Sequence, residues 1–109
     1  MLIVFDAGNS NIVVGIYREK VCIANVRLLT RDSETYDEYG LQLIHFLEKN
    51  QITIDEITEA TIASVVPKVT ENLVQMCIKY LHISPLVVDH TLATNITFDA
   101  SLIRLPLCL

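Results

Sequence analysis

The sequence has little of what marks several protein classes. It contains no tryptophan, three glycines and three prolines, and its 8 Lys and Arg residues are outnumbered by 13 Asp and Glu residues. No run approaches the roughly 18 uninterrupted apolar residues that a membrane span needs. Because the chain is acidic and carries no cluster of basic residues, neither nucleic acid nor an anionic membrane is expected as a partner.

The three cysteines and the amino terminus bear on the compartment. Cys22, Cys77 and Cys108 lie far apart, without a Cys-x-x-Cys pair and in odd number, which is typical of structural thiols in a cytosolic protein. The first residues meet an acid, Asp6, without a preceding basic segment, and this pattern is not that of a signal peptide. The sequence therefore predicts a cytoplasmic protein.

What is present is apolar and β-rich. Half of the 109 residues (51%) are hydrophobic, which predicts one folded domain or a piece of a larger one. Apolar runs predict three strands at 2–5, 12–17 and 21–29, joined by turns short enough for an antiparallel meander. Three further strands are expected at 57–66, 86–88 and 95–99.

Two helices are expected between the later strands. Thr35 and Glu38 have the spacing of a capping box, which predicts a helix over 36–50 with Tyr39, Leu43 and Phe46 among its buried residues. Pro67 is suited to the first turn of a second helix, which helical spacing extends to residue 82. The order βββαβαβ predicts an α/β domain with a mixed sheet, in which the strands that follow helices run parallel to their neighbours.

The segment Asp6-Ala7-Gly8-Asn9-Ser10-Asn11 is the most informative one. Taken alone, such residues are most simply a hairpin turn. The alternative is functional: successive N–H groups of a tight turn can form a nest for phosphate, and Ser10 adds a hydroxyl donor. Asp6, at the end of a buried strand, offers an oxygen ligand for Mg²⁺. A bare acid repels phosphate unless a metal lies between them, which favours a Mg–nucleotide site.

A second segment and the histidines are less distinctive. Ser64, in Ala63-Ser64-Val65-Val66-Pro67, is most simply the end of a strand before a helix, although ligands of α/β sheets favour that position. His45, His82 and His90 lack the spacing of metal ligands.

Four segments together resemble the amino-terminal half of the type III pantothenate kinases, a family that includes the Bvg accessory factor homologues. They begin at Leu2, Thr35, Ile62 and His82 and read LIVFDAGNSN, TYDEYG, IASVVP and HISPLVV. The resemblance covers residues 1–99. It implies the ribonuclease-H-like half-unit of the sugar kinase, Hsp70 and actin superfamily.

The resemblance also implies chemistry. The family phosphorylates pantothenate with ATP in coenzyme A biosynthesis, uses Mg²⁺ and a monovalent cation (K⁺ or NH₄⁺), and works as a homodimer. By resemblance Asp6 lies near the metal, Ser64 and Phe98 contact the substrate, and the ATP-phosphate segment consists of Asp6, Ala7, Gly8, Asn9, Ser10, Asn11, Ile12 and Val13.

The departure from the family concerns catalysis. After the aromatic that matches Phe98, the family has a Gly-x-Asp-Arg motif with the proton-accepting Asp, whereas this sequence reads Leu105-Pro106-Leu107-Cys108. We therefore expect an ATPase-like domain at 1–99, an atypical apolar tail at 100–109 and no second domain. Two interpretations follow: an inactive half of a pantothenate kinase, or a non-catalytic nucleotide-binding or regulatory module. The apolar tail predicts a homodimer or other self-association.

Overall fold

A computed structural model describes residues 1–31 and 34–89, which form one mixed sheet and two main helices. The strands are β1 (Leu2–Ala7), β2 (Asn11–Arg18), β3 (Val21–Leu29), β4 (Glu59–Ser64) and β5 (Leu86–Asp89). The helices are α1 (Tyr36–Lys49) and α2 (Pro67–Met76), with a short 3-10 helix at Ile54–Glu56 and a π-helical turn at Cys77–Leu81. The expected strand at 95–99 and the tail at 100–109 lie outside the described residues.

The first three strands form the predicted antiparallel meander. Phe5 of β1 lies opposite Val14 of β2, and β2 pairs in turn with β3, opposing Val14 to Val26. Glu19 and Lys20 connect β2 to β3 with φ angles of 51° and 69°. Positive φ at both central residues is the requirement of the two-residue hairpin turns whose twist matches that of the strands.

The remaining strands extend the sheet on the other side of β1. β4 runs parallel to β1, β5 runs parallel to β4, and the strand order is β3-β2-β1-β4-β5. This arrangement confirms the predicted mixed α/β sheet and the ribonuclease-H-like half-unit. β4 is shorter than the apolar run 57–66, because Ile57 is buried as the residue that follows the 3-10 helix and not as part of a strand.

The helix α1 begins as the sequence predicts. The Thr35 hydroxyl accepts from the Glu38 N–H at 3.2 Å, while the Thr35 N–H donates to Glu38 Oε1 at 2.8 Å. This reciprocal pair satisfies two N–H groups that the first helical turn leaves without partners. The helix buries one face, made of Tyr39, Gly40, Leu43, Phe46 and Leu47.

The helix α2 begins at Pro67 as expected, but the helical geometry changes after Met76. A π-helical turn carries the chain from Cys77 to Leu81, and His82 closes it in the left-handed conformation with φ 58°. The buried residues nevertheless keep a helical spacing up to the end of this turn: they are Val69, Leu73, Met76, Cys77 and Leu81. The Cys77 thiol is free, and burial raises its pKa to about 12.

Both helices pack on the same face of the sheet. The core joins Ile3 and Phe5 of β1 to Leu43 of α1 and Leu73 of α2. On β3 the even-numbered residues Ala24, Val26 and Leu28 pack against this core. Because strand side chains alternate between faces, the odd-numbered residues of β3 lie on the opposite face.

The ring of Tyr80, in the π-helical turn that follows α2, lies close to the backbone of α1 at Gly40. A Cβ atom on Gly40 would lie 2.8 Å from Cζ of Tyr80 and closer still to two other ring carbons, so the ring lies directly on the α1 backbone. The Tyr80 hydroxyl donates to Asp37 Oδ1 at 2.6 Å, and Lys79 Nζ donates to the same oxygen at 2.8 Å. These contacts lower the pKa of Asp37, with the Lys79 hydrogen bond as the largest cause.

Candidate phosphate-binding site

The candidate site lies where parallel strands of the sheet end. Ala7 of β1 lies opposite Ser64 of β4, and Ser64 lies opposite Asp89 of β5. The carboxyl ends of all three strands therefore meet at one edge, the usual position of ligands in open α/β sheets. The turn from β1 to β2 projects from this edge.

The turn is held by backbone hydrogen bonds and by one residue that follows β3. The Gly8 N–H donates to the Asn11 carbonyl at 2.8 Å, which closes the turn. Thr30 binds it twice: its N–H donates to the Ser10 carbonyl at 3.0 Å and its hydroxyl to the Gly8 carbonyl at 3.0 Å. Three carbonyl groups of the turn are thus engaged by the protein.

The N–H groups of the turn are engaged less completely. Within the described residues, the N–H groups of Asn9 and Ser10 donate no hydrogen bond, and both residues are exposed. Thr30 fixes the turn through the carbonyl groups of Gly8 and Ser10. The N–H groups of Asn9 and Ser10 therefore lie at the surface in a fixed position, where no described protein group accepts from them. Exposed N–H groups on successive residues of a tight turn can donate to phosphate oxygens.

Asp6 lies one residue before the end of β1, between Val13 on β2 and Ala63 on β4. Its side chain is exposed, yet enough protein surrounds the carboxyl group that desolvation raises its pKa. No Lys, Arg or His of the described residues forms an ion pair with it. A partly desolvated carboxylate without a cationic partner attracts a cation to this edge of the sheet.

The donor set at this edge fits a magnesium–phosphate group. Magnesium is bound in proteins through one or two carboxylates and retains waters and substrate oxygens, and Asp6 supplies one carboxylate. No cluster of three or more His, Cys, Asp or Glu residues able to enclose a metal occurs among residues 1–31 and 34–89. Asp6 thus offers a metal one carboxylate, and further oxygen ligands would have to come from phosphate and water.

Ser64 reaches the same edge but is engaged in a turn of its own. Its Oγ accepts from the Val66 N–H at 3.0 Å and donates to the Val66 carbonyl at 3.1 Å. These bonds direct the chain from β4 into α2. The structure thus brings Ser64 to the edge that carries Asp6, whereas Phe98 lies outside the described residues.

Sequence reasoning missed two residues at this edge. Thr30 comes from a position 22 residues away from Gly8, and nothing in its local sequence indicates the contact. Asp89 is the last residue of β5 and by register lies beyond Ser64. An acid directly after the apolar run Leu86-Val87-Val88 is the same signal that singles out Asp6, and it could have indicated Asp89.

Comparison with known proteins gives the family. The profile of the family "Type III pantothenate kinase" matches residues 2–102. A relative from Bifidobacterium animalis subsp. lactis (strain AD011), also a "Type III pantothenate kinase", is 37% identical over 101 residues, which are 91% of this chain and 40% of the relative. The chain thus spans well under half the length of that curated relative. Within the described residues, no helix has the length and apolarity to cross a membrane. The chain belongs to the type III pantothenate kinase family, of which it represents the amino-terminal region.

Proposed function

We propose that this chain supplies the ATP-phosphate half of a pantothenate kinase cleft, in coenzyme A biosynthesis. The proposal rests on one observation: Asp6 and the two exposed N–H groups of Asn9 and Ser10, which have no acceptor among the described residues, lie within five residues at the end of β1. An unpaired carboxylate beside anion-binding donors has no role in folding that the described contacts explain. A cation bound to phosphate oxygens satisfies both groups at once.

Different residues of the turn have different roles in this proposal. The Asn9 and Ser10 N–H groups and the Ser10 hydroxyl donate to phosphate oxygens, which orients the group and offsets its charge. Asp6 would hold Mg²⁺, which would supply positive charge to the phosphates. Thr30 acts as a positioning residue, since its two hydrogen bonds fix the turn. The remaining segment up to Val13 lies on β2 and aligns the turn with the sheet.

Transfer of the phosphoryl group needs parts that residues 1–109 do not supply. At the positions of the family's Gly-x-Asp-Arg motif the sequence reads Leu105 to Cys108, and Leu107 has no proton-accepting group. Phosphoryl transfer depends on positioning and charge stabilisation by a complete cleft. We therefore propose that this chain binds Mg–ATP and does not phosphorylate pantothenate by itself, with residues 1–99 as the binding domain.

The further assignments rest on the family. Pantothenate is the acceptor proposed for a complete enzyme, with Ser64 and Phe98 as substrate contacts and K⁺ or NH₄⁺ as the monovalent cation. A cytoplasmic location and a homodimer are proposed on the same ground. Self-association through residues 100–109 predicts that deletion of this segment lowers the mass of the particle measured by light scattering. A monodisperse monomer with the segment intact would contradict that proposal.

A second candidate function is a regulatory module that retains nucleotide binding without catalysis. It is favoured by the same departure from the Gly-x-Asp-Arg motif at Leu105 to Cys108. Both candidates predict nucleotide binding by the 109-residue chain, and they differ in what a longer protein from the same locus does. Phosphorylation of pantothenate by that longer protein supports the kinase, and nucleotide binding without turnover supports the module.

Calorimetric titration with Mg–ATP tests the binding site. We expect binding that requires Mg²⁺ and that is lost on Asp6→Asn, a substitution that keeps the shape of the side chain and removes its charge. Glu59→Gln is the matched control, because Glu59 is an exposed acid at the amino end of β4, away from the edge of the sheet where Asp6 lies. Equal binding by wild type and Asp6→Asn would refute the site, and equal loss in both variants would assign the effect to net charge alone.

A further inference from the structure

The edge strand β3 offers backbone groups on its outer side. Within the described residues β3 pairs with β2 alone and ends the sheet. The Thr30 N–H donates to the Ser10 carbonyl across this pair, and hydrogen-bonded pairs recur at every second residue of an antiparallel ladder. Even-numbered residues of β3 therefore direct their backbone groups towards β2. Asn25, Arg27 and Leu29 direct theirs outward, where another strand can pair.

A groove follows this edge on the helical face of the sheet. It lies between β3 and α1 and has a volume of about 390 Å³. Val26, Leu28 and Phe46 give it an apolar floor, and its rim is polar. The residues at the rim are Asn25, Gln42, His45, Lys49 and Asn50. A strand added beside β3 would direct every second side chain over this floor.

The charge along this edge is opposite to that of the whole chain. Residues 20–31 contain Lys20, Arg27 and Arg31 and no Asp or Glu, although the chain carries a net charge of −5. Lys49 adds a fourth cation from α1, and the acid beside the groove, Glu34, accepts a hydrogen bond from Gln42 of the rim at 2.6 Å. A second copy of β3 paired with this edge would bring like charges together, which disfavours self-association here. The charge is complementary to an acidic partner.

We propose that β3 and the groove beside it bind an extended acidic segment of another protein, which adds a strand to the sheet. Backbone hydrogen bonds to Asn25, Arg27 and Leu29 hold the segment, as in other cases of strand addition. Apolar side chains of the segment cover the floor of the groove on the helical face of the sheet, and its carboxylates, which alternate with them, lie on the opposite face beside Arg27. This function is independent of the phosphate turn, since it uses none of the residues assigned to nucleotide.

A blocked hexapeptide of alternating Glu and Val is the probe, titrated against the isotope-labelled 109-residue protein by NMR. We expect shifts confined to β3 and the facing turns of α1. Two kinds of control peptide keep the alternating sequence. One is a hexapeptide of alternating Lys and Val. The other is a pair of Glu-Val hexapeptides, N-methylated either at the odd-numbered or at the even-numbered residues. The Lys-Val peptide should bind at least tenfold more weakly than the unmodified Glu-Val peptide. The same loss is expected for the methylated Glu-Val peptide that lacks the N–H groups directed towards β3. Equal binding by the Lys-Val peptide, or no binding of the acidic peptide at millimolar concentration, would overturn the proposal.

Charge reversals on the protein complete the test. Arg27→Glu should weaken binding of the acidic peptide fivefold or more, because Arg27 lies on the face of the sheet to which the carboxylates of the peptide project. Lys68→Glu is the matched control, because it changes net charge equally from an exposed position on α2. Circular dichroism confirms that each variant is folded. An equal loss in the Lys68 variant, or displacement of the peptide by short single-stranded DNA of equal affinity, would reduce the edge to a general anion-binding surface and refute the proposal.

Discussion

Gly40 is the position where a single methyl group gives the sharpest test of the packing between α1 and α2. Alanine favours a helix over glycine by about 1 kcal/mol, so helix propensity alone predicts that Gly40→Ala stabilises the protein. The Tyr80 ring opposes this, because an added Cβ would lie 2.8 Å or less from three of its carbons. The ring is also held in place by its hydrogen bond to Asp37.

The magnitude follows from these two opposed effects. Overpacking of this kind costs about 1–3 kcal/mol, since neighbours must shift or leave their rotamers. Subtracting the propensity gain leaves a net destabilisation of about 1 kcal/mol for Gly40→Ala, which corresponds to a fall in Tm of about 4 °C for a domain of this size. Removing the ring by Tyr80→Ala removes the overlap. In that background the same Gly40→Ala change should stabilise the protein by about 0.5–1 kcal/mol.

Urea denaturation of the wild type, both single variants and the double variant measures this reversal of sign. Tyr80→Phe is the control, because it keeps the ring and loses the hydroxyl, so Gly40→Ala should remain destabilising beside it. If Gly40→Ala stabilises the wild-type protein, or if its effect is the same with and without the Tyr80 ring, the steric reasoning is wrong.

Three further predictions concern single residues. Thr35→Ala removes the capping box of α1 and should lower the free energy of unfolding by about 1 kcal/mol in urea, whereas an unchanged midpoint would show that the cap is dispensable. Cys77 should resist iodoacetamide at pH 8 in the folded protein, since its pKa is about 12, and should react once urea unfolds the chain; rapid reaction of the native protein would disprove its burial. For Asp6 the folded state binds the proton more readily than the unfolded state, because its pKa is raised. Wild-type stability should therefore fall, relative to Asp6→Asn, as pH rises from 3 to 7, and denaturation curves that stay parallel across this range would contradict the shift.

Local signals of the sequence were enough to predict where the helices begin and what they bury. Thr35 with Glu38 and Pro67 act within a single turn of chain, so their effect is visible from neighbouring residues alone. The antiparallel and parallel pairings also follow, because short connections permit only hairpins and helical connections return the chain parallel. The same logic placed Asp6 at the end of a buried strand.

Contacts between distant residues could not be predicted in this way. Gly40 and Tyr80 are forty positions apart in the chain, and neither residue's neighbourhood indicates the other. Thr30 lies 22 positions from Gly8, which is also outside its local context. Ile57 illustrates a different limit: an apolar residue is buried for the same energetic reason in a strand or beside one, so hydrophobicity alone extended β4 too far.

The two-residue connection between β2 and β3 sets a limit on how this protein can change in length. Glu19 and Lys20 close the hairpin with positive φ, and this turn, together with the shift of register between Ile16 and Tyr17, determines which residues of β3 meet which residues of β2. Because side chains alternate, a one-residue insertion or deletion that shifted the register would exchange the faces of the strand. Val26 would leave the core and Arg27 would enter it. Natural variation at this hairpin should therefore appear as substitutions towards Asn or Gly, which adopt such angles readily, and not as insertions or deletions.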